Sequence, residues 1–235
     1  MNPYASHSSR LTGSLGLEVP PIALARVDEV PEGVAPLGEK APAGCAFWTL
    51  ARTRVFFTEA DDHAGCPIGT LTMGLEPSDE VNAEVGVLVE QMESLGYLSP
   101  GEAASLPMIP TRANYVIYGA LDQFPVTADA LLLTVNPEQA MVLAEAVHGV
   151  DMGAPTLRVL GRPACSAIPT ALASSEVTMS LGCAGMRTFT ALEPGMLLAV
   201  IPGGEIDETV DRVEKLSSSN AAMRAFYEER LAASK

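Results

Sequence analysis

Histidine is scarce in this chain of 235 residues: only His7, His63 and His148 occur. That scarcity excludes metal sites built mainly on imidazole. Cations are also few, 14 Lys and Arg against 29 Asp and Glu, for a formal net charge of -15. Such a balance excludes the clustered positive charge that nucleic acid or an anionic membrane surface demands, and favours solubility. Long apolar runs are missing. The longest, "ALLLTV" (Ala130 to Val135) and "MLLAVI" (Met196 to Ile201), fall far below the roughly 20 residues of a membrane span. The first twenty residues lack the apolar core of a signal peptide, so a cytoplasmic protein with reduced cysteines is expected. There is no G-x-x-x-x-G-K-[ST] loop and no G-x-S-x-G elbow, which leaves P-loop ATP hydrolysis and common esterase chemistry without support.

With aromatics at 5%, Val, Leu, Ile, Ala and Met must fill the core. At 48% apolar residues there is enough of it for one large domain. Residues 1–16 read as a polar helix or arm. Strands are expected at "PPIALARV", "RVFFTE", "YVIYGAL", "ALLLTV", "VTMSL" and "MLLAVI". The third and fourth of these, "YVIYGAL" and "ALLLTV", are expected as neighbours because their link is short. "EPSDEVNAEVGVLVEQMESLGY" is the clearest helix, with Ser78 as cap, Val81, Val85, Leu88, Met92 and Leu95 on one face, and Gly96 as stop. "NPEQAMVLAEAVHG" is a second, capped by Asn136 and ended by Gly149. Short helical pieces open at Cys45 and Cys165, and one or two charged amphipathic helices end the chain. Helices interleaved with apolar strands predict an α/β fold with a mixed sheet.

Four cysteines remain, Cys45, Cys66, Cys165 and Cys183, and they repeat a pattern. "HAGCPIG" and "LGCAGMR" lie 117 residues apart, and nine residues beyond Cys66 and Cys183 stand Leu75-Glu76-Pro77 and Leu192-Glu193-Pro194. Each half reads as cysteine, short helix, strand, Gly-Cys loop, Leu-Glu-Pro. The expectation is a duplication giving two pseudo-symmetric halves, about 17–125 and 126–205, followed by the C-terminal helices. A pseudo-two-fold axis relating the halves would gather all four cysteines at one site.

"PAGCAFW", "TEADDHAGCPIG", "GRPACSAIPTALA" and "LGCAGMR" resemble the motifs of the domain of unknown function 169 family, over nearly the whole chain after Gly16. The resemblance implies that the four cysteines form a set and assigns them no ligand.

Four thiolates suit a tetrahedral zinc or an iron–sulfur cluster. The C-x2-C knuckles usual for zinc are absent, and widely spaced single cysteines fit a 4Fe-4S cubane better, although the clustered ferredoxin run is also absent. Gly44, Gly65, Gly69, Gly182 and Gly185 flank the cysteines and would let the backbone approach a bulky group. Haem ligation through Cys66-Pro67, a Cys66–Cys183 dithiol and four ordinary buried thiols are the alternatives. His63, three residues before Cys66 and beside Asp61 and Asp62, reads as part of a polar turn and is also the best acid–base candidate. Arg162 and Arg187 flank the second cysteine pair. Either could hold an anionic substrate, with Arg187 also a catalytic candidate. Arg52 and Arg54 read as solvated, and Trp48, Phe56 and Phe57 as core.

The expected function is therefore a four-cysteine iron–sulfur protein with a redox or Lewis-acid role on a small anionic substrate, or one serving an electron-transfer partner. Two alternatives come from other classes: a cofactor-free ligand-binding or scaffold module, and a thiol enzyme using Cys66 with His63. The residues name no reaction.

Overall fold

The computed structural model describes residues 4–148 and 158–234. Eight strands among them form one mixed sheet: β1 (Ile22–Val27), β2 (Ala35–Pro36), β3 (Phe56–Thr58), β4 (Tyr115–Ala120), β5 (Ala130–Val135), β6 (Arg158–Leu160), β7 (Thr178–Ser180) and β8 (Leu197–Pro202). Their order is β2-β3-β4-β1-β5-β8-β7-β6. β2 pairs parallel with β3 and β6 parallel with β7, while every other pair is antiparallel. Read outward from the β1–β5 pair, the two sides have one connectivity, β1-β4-β3-β2 and β5-β8-β7-β6. β4 and β5 are not neighbours: both pair with β1, which lies between them. The short link between them spans that intervening strand.

The described residues also form eight α-helices: α1 (Ala5–Leu15), α2 (Ala46–Leu50), α3 (Ile68–Thr72), α4 (Asp79–Ser94), α5 (Pro137–His148), α6 (Ala167–Ser174), α7 (Ala184–Thr190) and α8 (Ile206–Ala233). Strand alternation sorts the core into two layers. Ala23, Ile117, Leu131, Leu133 and Ile201 face one layer, closed by residues of α1, α5 and α8. Leu24, Tyr118, Leu132, Leu198 and Val200 face the other, where Phe47, Trp48, Ile168 and three of the cysteines pack.

Capping follows the sequence. The Ser78 hydroxyl accepts from the Val81 amide at 3.3 Å. Asn136 and Gln139 form a reciprocal capping box, with bonds of 2.9 and 2.8 Å. The expected stop at Gly149 lies outside the described residues. The C-terminal segment is one helix, α8. The N-terminal segment is helix α1, ended by Gly16 in the left-handed conformation. It is docked rather than free. Leu11 and Leu15 enter the core, Arg10 bridges Asp211 and Glu214 of α8, and the Gln139 amide donates to the carbonyls of Leu15 and Gly16. Leu11 is fully buried, so Leu11→Ala should lower unfolding free energy by about 2–4 kcal/mol in urea titration; a change below about 0.5 kcal/mol would mean that α1 is not anchored there.

Candidate four-cysteine site

The four cysteines occupy matching places in the two halves. Cys45 caps α2, which runs towards β3, and Cys165 lies in the 3-10 turn Ala164–Ser166, which runs through α6 towards β7. Cys66 follows β3 and the 3-10 turn Ala60–His63, and Cys183 follows β7 and caps α7. All four are free thiols, and all four border one cavity of about 560 Å³ on the second face of the sheet. The cavity therefore draws two cysteines from the segment that carries β1 to β4 and two from the segment that carries β5 to β8.

Main-chain amides turn towards the sulfurs. The Met186 amide donates to Cys183 Sγ at 3.4 Å. Cys66 receives the amides of Ile68 and Gly69, and Cys45 those of its own residue and Ala46. The Thr72 hydroxyl donates to the Gly69 carbonyl oxygen at 3.1 Å and lies beside Cys165. These donors favour thiolates, yet burial outweighs them. Burial pushes the Cys45 thiol up to about 12, and repulsion from Cys66 and Cys183 adds to the shift. Burial raises Cys66 as well, with Cys183 contributing. Cys165 is raised by burial first, then by Cys66, Cys183 and Cys45. With nothing bound, these three thiols are protonated near neutral pH. No group of three or more His, Cys, Asp or Glu side chains among the described residues is arranged to hold a metal ion.

Helix α4 forms the far wall of the cavity. Val85, Leu88, Met92 and Leu95 line it, so the apolar stripe read from the sequence faces a space rather than packed core. Of that stripe only Val81 is buried, and Leu95 is 72% exposed. The mouth is polar. Arg162 stacks on Tyr97 at 4.7 Å and lies 3.7 Å from Glu102, while the Tyr97 hydroxyl accepts from the Ala184 amide. Tyr97 thereby ties the segment after α4 to both cysteine-bearing segments of the second half.

Arg187 differs from the expectation. Its guanidinium donates to the carbonyls of Leu181, Glu193 and Met196, and its side chain is absent from the cavity lining. Those three carbonyls take three of its five N–H donors, and of the two arginines it is Arg162 that borders the cavity. Trp48, expected as core, is buried and also borders the cavity.

His63 is not part of an exposed turn. It is 1% exposed, packs edge-on to Phe47 at 4.8 Å and has Nε2 3.3 Å from Thr58 Oγ1, while Nδ1 has no partner. Burial pushes its pKa down to about 3, so it is neutral at pH 7. Its ring wedges between the two cysteine loops of the first half: a Cβ on Gly44 would lie 3.0 Å, and on Gly69 2.8 Å, from Nδ1. These glycines admit the imidazole rather than a bulky ligand. Gly65 serves a similar end, since a Cβ there would fall 2.7 Å from the Pro42 carbonyl oxygen. Residues with no role in the sequence reading also belong to the site: Thr58, Thr72, Tyr97, Glu102 and Tyr118. Strand alternation could have placed Tyr118 on one face with Val116, but not have said which face holds the cysteines.

Gly69→Ala should destabilise the chain by about 1–3 kcal/mol through overpacking against His63, and most of that cost should vanish in a His63→Ala background. Chemical denaturation of the four-member cycle measures the coupling; additive effects would rule out the wedge.

The family model of DUF169, described as uncharacterised ArCR, matches residues 10–212. An uncharacterised protein of Methanocaldococcus jannaschii, MJ0308, is 21% identical over 226 residues, covering 91% of this chain and 95% of that protein. No solved structure matches. The family match extends from α1 into α8 and includes every cysteine of the cavity, and the chain belongs to the DUF169 family.

Proposed function

We propose that Cys45, Cys66, Cys165 and Cys183 bind an iron–sulfur cluster, with 4Fe-4S the form that suits the set, in a cytoplasmic protein acting on a small anionic molecule. One observation carries the reading: four free thiols from matched positions border one cavity, with main-chain amides turned on three of them. Such amides stabilise cysteine ligands and tune their potential. The electrostatics point the same way. Four mutually repelling thiolates are costly alone, and a shared cationic centre converts that cost into binding free energy. The space between the cysteines and α4 leaves room for a substrate beside the centre. When bound, the centre would supply electron transfer or a Lewis-acidic iron. The chain would contribute four ligands, an apolar wall that excludes water, and Arg162 at the mouth as anchor for an anionic group.

A second reading, a cofactor-free pocket for an apolar ligand, draws on the burial that keeps the thiols protonated and on the apolar α4 wall. The thiol-enzyme alternative is weaker. Cys66 is raised rather than activated, and His63 directs Nε2 to Thr58 and is too weak a base to take its proton near neutral pH.

Anaerobically prepared protein should be brown, with stoichiometric iron and sulfide, and each single Cys→Ser variant should lose most of its cofactor. A colourless, iron-free anaerobic sample that also resists reconstitution favours the second reading. Because the thiols are raised, ligand binding must displace protons. Cobalt(II), used as a spectroscopic stand-in, should therefore bind more tightly from pH 7 to pH 8.5, with proton release visible by calorimetry in buffers of different ionisation enthalpy. Affinity independent of pH would mean that the thiols are not the ligands.

A further inference from the structure

Partly buried arginines in this fold are answered by acceptors. Arg26 donates to the carbonyls of Met73 and Thr111, Arg187 donates to three carbonyls, and Arg54 pairs with Glu39. Arg52, read from the sequence as solvated, is the exception. Its Nε is buried and has no hydrogen-bond partner. Burial lowers its pKa, and no carboxylate among the described residues acts to raise it. A chain with 29 acidic side chains thus leaves a half-buried guanidinium without a counter-charge, although burying an unpaired charge is costly. Arg52 borders a narrow cleft of about 20 Å³, lined by residues of β1, β5, β8, α2 and α7. A space of that size admits about one water-sized particle. Two hydroxyls on the cleft, those of Thr49 and Thr134, make no hydrogen bond among the described residues, so each has a hydrogen to give. A third, Thr190, already donates to the Met186 carbonyl at 2.7 Å.

We propose that this cleft is a site for one small anion of halide size, with Arg52 as its counter-charge and the Thr49 and Thr134 hydroxyls as further donors. The charge of a guanidinium is spread over a planar fork of five N–H groups, so it attracts an anion whichever edge faces the cleft. The narrow space excludes larger polyatomic anions such as sulfate. The mainly apolar lining favours weakly hydrated ions, because an entering ion must shed water. The place of the cleft gives the ion a consequence. α2 opens at Cys45 and α7 at Cys183, and the two helices pack against each other. An anion between them ties the two halves together on the cysteine-bearing face and steadies two helices that carry ligands of the proposed centre. The cleft shares only Trp48 and Met186 with the cysteine cavity. The proposal goes beyond the cluster reading and stands whether or not the cysteines carry a cofactor, since iron content and anion binding are separate measurements.

Trp48 borders the cleft, is the only tryptophan of the chain and is 7% exposed. Its fluorescence therefore reports on the cleft and is shielded from collision with free ions. The probe is bromide, whose heavy atom quenches indole emission, titrated into the full chain as isolated, with ionic strength held by sodium gluconate. In the parent the quenching should saturate, and added chloride should relieve it. Arg52→Met should weaken bromide binding about tenfold or more, the worth of a hydrogen bond to a charged group, whereas Arg52→Lys should keep part of it. Should Arg52→Met fail to fold, Thr134→Val decides, with bromide affinity lowered several-fold and chloride still competing. Quenching that rises linearly with bromide, that chloride does not relieve, or that is equally strong in the deciding variant overturns the proposal and leaves the cleft to water.

Discussion

A three-residue antiparallel seam holds this architecture together. Ile22, Ala23 and Leu24 of β1 face Leu132, Leu131 and Ala130 of β5, and across that seam the two halves become one sheet. Neither half can enclose the cavity alone, since each supplies two of the four cysteines. The seam also fixes parity. A one-residue slip would turn one side of the seam over against the other, so that Leu24 and Leu132 would no longer share a face. Tyr118 of β4 and Val200 of β8, registered to β1 and β5, would then face opposite layers. Cysteine convergence is thus inherited from backbone pairing far from any sulfur.

The cavity wall is held by contacts that do not themselves line a ligand. Arg187 gathers three carbonyls around the start and end of the α7 segment, and His63 locks the loops carrying Cys45 and Cys66 against each other. Both residues carry chemistry that looks catalytic in a list of side chains. In the fold they consume it on the protein. That is a common use of Arg and of buried neutral His, whose directional donors and flat shape suit the bracing of irregular backbone. The price is an imidazole nitrogen without a partner, tolerated beside a site where polarity has a use.

Much of the local structure was legible in the sequence, because local structure obeys local rules. Ser78 and Asn136 announced their helices, and short apolar runs marked β1, β4, β5 and β8. The repeated cysteine pattern drew attention to four residues that border one cavity. Three things were not legible. Strand order depends on pairing between remote segments, so β4 and β5 were expected side by side when β1 separates them. The stripe on α4 has the same period whether it meets a packed core or a void. Burial of His63 depends on Gly44 and Gly69 meeting across a loop closure that no short window contains. Tyr118 escaped for a related reason: alternation gives a residue's side of the sheet only relative to its neighbours.

The outermost strands carry one last implication. β2 has two residues and β6 has three, and β2 ends in Pro36, which has no amide hydrogen to offer a further strand. Among the described residues both borders of the sheet are therefore short, which disfavours edge-to-edge recruitment of another chain, and the longer strands β1, β4, β5 and β8 lie inside with a neighbour on each side.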